Sequence, residues 1–150
     1  MIEIYSQKIK EQHKEIKAII NELREDVYSE DDIPENTIWI ALKLGQLNAV
    51  LHAHLKFEDD FLYPCLKESN NKYTAETAAK FSAEMGGLAQ KFADYIRQYI
   101  GTPHSIREDL KKFVKETASL IDKISARIEA EDKELYELLT ANPESCPIKK

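Results

Sequence analysis

Ala78-Ala-Lys-Phe81-Ser-Ala-Glu-Met85-Gly-Gly-Leu88-Ala-Gln-Lys-Phe92-Ala-Asp-Tyr95-Ile-Arg-Gln-Tyr99 sets an apolar side chain at alternating steps of three and four residues. That period is the seam of a helix packed in a bundle, since positions three and four apart share one face. Three other stretches carry the same seam: Ile9, His13, Ile16, Ile20, Leu23, Val27; then Leu47, Leu51, His54, Glu58, Phe61, Cys65; and Phe113, Thr117, Leu120, Ile124, Arg127, Glu131, Leu138, with a slip at Glu134/Leu135. Breakers separate them. Tyr28–Pro34 is an acidic loop ending in a proline suited to a first helical turn. Glu68–Thr74 is rich in Asn and Ser, with Thr74 as an N-cap. At Gly101–Ser105 a glycine stops one helix, and Ser105 with Glu108 forms the capping box of the next. The spacing predicts helices near 3–26, 35–67, 75–100 and 106–139. Short connections make neighbours antiparallel, so the expected fold is all-α, an up-down-up-down four-helix bundle over residues 1–140. Residues 141–150, with Pro143 and Pro147, read as a non-helical tail.

Composition agrees. The chain has 150 residues, the size of one domain, with only 4 Gly and 5 Pro, too few turn-formers for a sandwich, barrel or doubly wound fold. The longest apolar run, Ile38–Leu42, is far short of a bilayer span, so no membrane partner is expected. A net charge of −6 argues against a duplex nucleic-acid binder. Two cysteines without a CxxC motif, and a start lacking the basic and apolar regions of an export signal, lead to the expectation of a reducing, cytoplasmic setting.

The seams hold polar residues where core residues belong: His13, His54, Glu58, Arg127 and Glu131. Buried ionisable groups cost several kcal/mol each unless paired or metal-bound, so something must compensate them. The chain also repeats itself at a shift of 73. His54-x3-Glu58-Asp59-x2-Leu62-Tyr63-x2-Leu66 answers Arg127-x3-Glu131-Asp132-x2-Leu135-Tyr136-x2-Leu139. A shift of 72 carries His13 to Met85. Residues i and i+4 share a helix face, so His54 and Glu58 can point at one ion with His13 reaching from the neighbouring helix. Imidazole with carboxylate suits iron, manganese or zinc. Two such hairpins face to face would make a two-metal site with one bridging carboxylate from each half.

The His54-x3-Glu58-Asp59-x2-Leu62-Tyr63-Pro64 stretch, the Glu131-Asp132-x2-Leu135-Tyr136 stretch and Gln12-His13-Lys14-Glu15-Ile16 together resemble the hemerythrin-like, or HHE cation-binding, domains over residues 5 to 140. The resemblance implies a non-haem di-iron bundle binding O2, NO or a related small molecule, used in oxygen carriage, sensing or storage, or iron and nitrosative-stress handling. By its pattern His13 and His54 would ligate one iron and Glu58 would bridge. The second bridge would be Glu131, in the H-x3-E pattern, or Asp132, in the H-x4-D spacing. Met85 and Arg127 stand where the pattern has histidines. A thioether is a poor ligand for iron and a guanidinium stays protonated, so the second metal site is expected to be reduced or lost. The expectation is a mononuclear non-haem iron site rather than a dinuclear one, with metal ligands among His13, His54, Glu58, Glu131 and Asp132. The competing expectation is a metal-free bundle serving as an interaction or structural protein, its former centre replaced by an Arg127–Glu58/Glu131 salt-bridge network. No nucleophile–base constellation points to an enzyme.

Overall fold

The computed structural model describes residues 2–27 and 30–141. Helix α1 (Ile2–Val27) is followed by α2 (Thr37–Phe57), which runs through a π-helical turn, Glu58–Leu62, into α3 (Tyr63–Lys67). Next come α4 (Lys72–Tyr99), the single turn α5 (Ser105–Glu108) and α6 (Leu110–Ala130). A second π-helical turn, Glu131–Leu135, leads into α7 (Tyr136–Ala141). There is no strand among the described residues. The expected tail lies outside them from residue 142 onward.

The elements form an all-α bundle. Helix α1 packs on α2 and α6, and α4 packs on α2, α3 and α6. Cross-helix pairs give their directions. Gln12 meets His54 while Asp26 meets Lys43, so α1 and α2 run opposite ways. Lys17 meets Asp132 while Arg24 meets Asp122, and Glu84 meets Arg127 while Tyr99 meets Glu116, so α6 opposes both α1 and α4.

Several local expectations are corrected. Asn71, not Thr74, caps α4: its Oδ1 accepts from the Thr74 amide, and Thr74 is buried. The Ser105/Glu108 capping box does not form. Ser105 Oγ donates to the carbonyls of Gln98 and Thr102, and Asp109 caps the long helix instead, accepting from the Lys112 amide. Helix α2 begins at Thr37, beyond Pro34, because Ile33 is fully buried and holds the preceding turn against the bundle. Gly101 does end α4, for a steric reason: a Cβ there would lie 2.5 Å from the Arg97 carbonyl oxygen.

The seams of α1 and α4 are buried as expected, apart from half-buried Leu88; the side chain of Val27 lies outside the described residues. On the α2–α3 stretch the seam changes register. Phe61 is 51% exposed and Cys65 half-buried, while Leu62, Tyr63 and Leu66 point inward. A π-helical turn inserts one residue into the helix and rotates everything after it by about 100°. The slip at Glu134/Leu135 has the same cause: the second π turn brings Leu135 and Leu139 into the core beside Leu138. Cys65 is not a free thiol, which removes the argument from unpaired cysteines to a reducing compartment; Cys146 lies outside the described residues. No helix among the described residues is long and apolar enough to cross a membrane.

The core has two parts. A larger cluster includes Ile16, Ile20, Leu23, Leu47, Leu51, Met85, Tyr99, Phe113 and Ile124. A smaller one comprises Ile9, Leu62, Tyr63, Leu66, Ala78, Phe81, Leu135, Leu138 and Leu139. On three of the four long helices buried polar residues lie between the two clusters: His13 on α1, His54 and Glu58 on α2 and its π turn, Arg127 and Glu131 on α6 and its π turn.

Candidate metal centre

Each π turn opens on a glutamate, Glu58 in one and Glu131 in the other. Such turns sit most often at functional sites, because they aim a side chain that a regular helix would misplace. Glu58 is fully buried and Glu131 is 2% exposed. Opposite them His13 and His54 are buried as well.

Three ligand-type atoms converge. His13 Nε2 and His54 Nε2 are 3.2 Å apart, and Glu131 Oε2 lies 2.9 Å from the first and 3.1 Å from the second. Glu58 Oε1 is 2.9 Å from His54 Nε2. The two outer nitrogens are anchored: His13 Nδ1 to Asp132 Oδ1 and His54 Nδ1 to Gln12 Oε1, each at 2.7 Å. Oxygens accept there, so each Nδ1 carries the proton and each neutral ring turns its Nε2 lone pair toward the other. Lone pairs from two imidazoles and a carboxylate repel one another at these distances unless a proton or a cation lies among them. In the metal-free protein a proton does this for His54. Burial pulls its pKa down, but the Glu131 and Glu58 carboxylates outweigh that and raise it to about 10. The carboxylates diverge. Burial pushes Glu58 up, whereas Glu131, although equally desolvated, is held below the usual range by His13 and His54.

The donor set fits a divalent ion. Ligand atoms about 2.0–2.2 Å from one ion and at right angles to each other stand about 2.8–3.1 Å apart, and the three edges, 2.9, 3.1 and 3.2 Å, fall within about 0.1 Å of that range. Two neutral imidazoles with two carboxylates, Glu131 and Glu58, also balance a +2 charge in a dry layer.

Of the five residues expected as ligands, the structure brings His13, His54 and Glu131 into one group whose ligand atoms lie within 4.8 Å of one another, with Glu58 beside them. Asp132 stands apart from that group. Its Oδ1 faces His13 Nδ1 and its Oδ2 faces Lys17 Nζ. Gln12 plays the same part for His54 and was not singled out from the sequence. Its signal was there, because Ile9, Gln12, Ile16, Ile19 and Leu23 form a continuous three–four seam with one polar member.

Of the expected Arg127–Glu58/Glu131 network, the described residues show the Glu131 arm alone, as an i,i+4 ion pair, and no Arg127–Glu58 pair. The Arg127 guanidinium turns toward α4. It donates to Glu84 Oε2 at 3.0 Å and to the Phe81 carbonyl, and its Cζ lies 4.2 Å above the Phe81 ring. Its Nε only approaches Glu131 Oε1, at 3.9 Å, without a hydrogen bond. Five buried polar atoms in this part of the layer make no hydrogen bond: both oxygens of Glu58, Glu131 Oε1, Tyr63 Oη and Arg127 Nε. Glu58, Glu131, Ile9, Leu62, Leu135 and Leu139 line a cavity of about 10 Å³ open to water centres. That is room for about one water-sized ligand. Met85 is buried in the larger core cluster as filler. His52 and His104 are exposed, as expected. The side chain of Tyr136, the counterpart of Tyr63, lies outside the described residues.

The family described as hemerythrin HHE cation binding domain matches residues 6–139. No curated protein and no solved structure matches the chain.

Proposed function

The chain belongs to the hemerythrin HHE cation-binding domain family, and from that premise we propose that it binds a single non-haem metal ion, iron in the first place. The reading rests above all on His13 Nε2, His54 Nε2 and Glu131 Oε2 converging as a 2-His-1-carboxylate triangle with both outer nitrogens anchored. His13, His54 and Glu131 would hold the ion, with Glu58 as a fourth or exchangeable ligand. Ferrous iron in such a set supplies open coordination positions for a small molecule such as O2 or NO. The chain's own residues do the rest. Gln12 and Asp132 hold the imidazoles in register, and Ile9, Leu62, Leu135 and Leu139 keep bulk water from the carboxylate side. Arg127 keeps its charge paired on α4, leaving no histidine on that half for a second ion. The biological use that follows is sensing or storage of the ion or its small-molecule ligand.

Metal analysis of purified protein after reconstitution with ferrous iron, and in parallel with zinc, tests this. The expected result is about one ion per chain, lost in His54→Ala and in Glu131→Gln. About two ions per chain would overturn the mononuclear reading. No ion in a fully helical protein would overturn metal binding itself and favour the structural alternative.

A further inference from the structure

We propose that the groove between α4 and α6 binds a small molecule carrying two or more phosphate groups, at a site separate from the metal layer. The groove encloses about 450 Å³, within the usual range for small-molecule sites. Lys91 lines it from α4, and Lys112, Lys115 and Lys123 line it from α6. At 100° per residue Lys112, Lys115, Ser119 and Lys123 fall within an arc of about 80° on α6. One strip of that helix thus presents three ammonium groups and a hydroxyl, with Lys91 across from them. Buried Tyr95 and Leu120 lie between the two rims.

The charge of this groove runs against that of the chain, whose net charge is −6. Elsewhere Lys17, Lys43, Lys56, Lys72 and Lys80 each face a carboxylate. In the groove Lys91, Lys115 and Lys123 make no ion pair among the described residues, and all three are exposed. Lys112 alone approaches an acid, Glu116, at 3.8 Å. That glutamate is the one acid in the lining, and it also accepts from the Tyr99 hydroxyl at 2.9 Å. Other acids on the same helices are engaged away from the lysines: Asp94 with Arg97, Asp122 with Arg24. Four like charges brought to one groove repel one another until an anion joins them. Ammonium groups act as point charges that suit phosphate oxygens, and the Ser119 hydroxyl adds a donor. The strip from Lys112 to Lys123 is about 16 Å long at 1.5 Å per residue, room for two phosphates on a short skeleton. A long polyanion such as duplex nucleic acid would run beyond the strip onto an acidic surface, whereas a short one lies wholly within it.

Isothermal titration calorimetry of the full, metal-reconstituted chain with fructose 1,6-bisphosphate as the probe tests it. The expected result is one saturable site per chain with a Kd below about 1 mM at about 0.15 M ionic strength, tightening as salt is lowered. Lys91→Gln and Lys123→Gln should each weaken binding about fivefold, and the two together about twentyfold or more. Lys123→Arg should retain it. Lys14→Gln makes the same change of net charge at an exposed position on α1, and should leave the Kd as it is. Metal content should be equal in all these variants, which keeps a failure here distinct from a failure of the metal reading. Absence of saturable binding at about 10 mM probe would overturn the proposal. So would equal weakening by Lys14→Gln and Lys123→Gln, which would reduce the effect to overall charge. Adsorption to phosphatidylserine vesicles without binding of the free bisphosphate would overturn it as well, because the lysines would then be a membrane-facing patch.

Discussion

Gln12 Oε1 accepts a hydrogen bond from His54 Nδ1 at 2.7 Å, and this contact decides which nitrogen of His54 faces Glu131 and His13. On the opposite ring Asp132 does the same for His13 at the same distance. The centre is thus built in two tiers. An inner set could share a cation, and an outer pair fixes the tautomer of each imidazole. The outer pair differs in charge. His13 faces a carboxylate and His54 an amide oxygen.

Replacing Gln12 with Leu keeps the volume and removes the acceptor. His54 Nδ1–H is then buried without a partner and the ring loses its fixed orientation. Metal affinity should fall by about 10–100-fold, while the amount bound at saturation stays the same. Competition against a chelating dye reads the affinity. Equal affinities in the two proteins would refute the two-tier account.

Arg127→Ala should destabilise the bundle by about 1–3 kcal/mol, the worth of charge-assisted hydrogen bonds with a cation–π contact. The figure is below the cost of orphaning a fully buried ion pair, because Glu84 is 53% exposed and water takes over its carboxylate once the arginine is gone. Since Arg127 binds to α4, metal content should not change. Denaturant unfolding gives the first quantity and metal analysis the second. A loss of bound metal would show that the guanidinium holds Glu131 in place through its 3.9 Å approach.

Most of the fold was legible in the seams, because burial follows the three–four period directly and His13, His54, Glu58 and Glu131 fell on it. What the period could not show is the change of register. A π turn adds one residue without altering local composition, so Phe61 and Cys65 read as core when Leu62 and Leu66 are. The slip at Glu134/Leu135 was the visible trace of that device on the other half. The same turn also sets Glu131 against His13 Nε2 and Asp132 against His13 Nδ1, which spacing alone left interchangeable. The Arg127–Glu84 pair was illegible for a different reason. It joins two helices, and nothing in either stretch says which acid on α4 a long guanidinium will reach.

The pH dependence of stability should carry a tyrosine signature at the alkaline end. Burial holds the Tyr95 phenol above its ordinary range, with its hydroxyl 2.6 Å from Thr117 Oγ1. Tyr99, whose hydroxyl donates to Glu116, is shifted the same way, burial again being the leading cause. An unfolded tyrosine releases its proton near pH 10, where the folded one keeps it, so the unfolded chain then binds fewer protons. Stability is therefore unaffected below about pH 10 and falls above it, by about 1.4 kcal/mol per pH unit for each such tyrosine. Denaturation midpoints across this range, set against phenolate absorbance, measure it. Tyr95→Phe should flatten the decline. A slope undiminished in that variant would assign it elsewhere.

The internal repeat makes the last prediction. Arg127 precedes Glu131 by four residues, as His54 precedes Glu58, and Met85 lies 72 positions after His13. Glu58 Oε2 and Glu131 Oε1 are buried and make no hydrogen bond, so the carboxylates of a second site are already in place. What that half lacks is nitrogen, and Arg127 adds a fixed charge that repels a second cation. Met85→His combined with Arg127→His supplies two imidazoles and removes the charge. The double variant should bind about two ions per chain where the wild type binds about one. Without metal it should melt below the wild type, since two imidazoles replace a well-packed thioether and a paired guanidinium. Saturating metal should recover that loss, because an ion that binds only the folded state stabilises it. Arg127→His alone should show only weak second-site binding. If the double variant stayed at one ion, the second site would be closed by its geometry and not by these two residues.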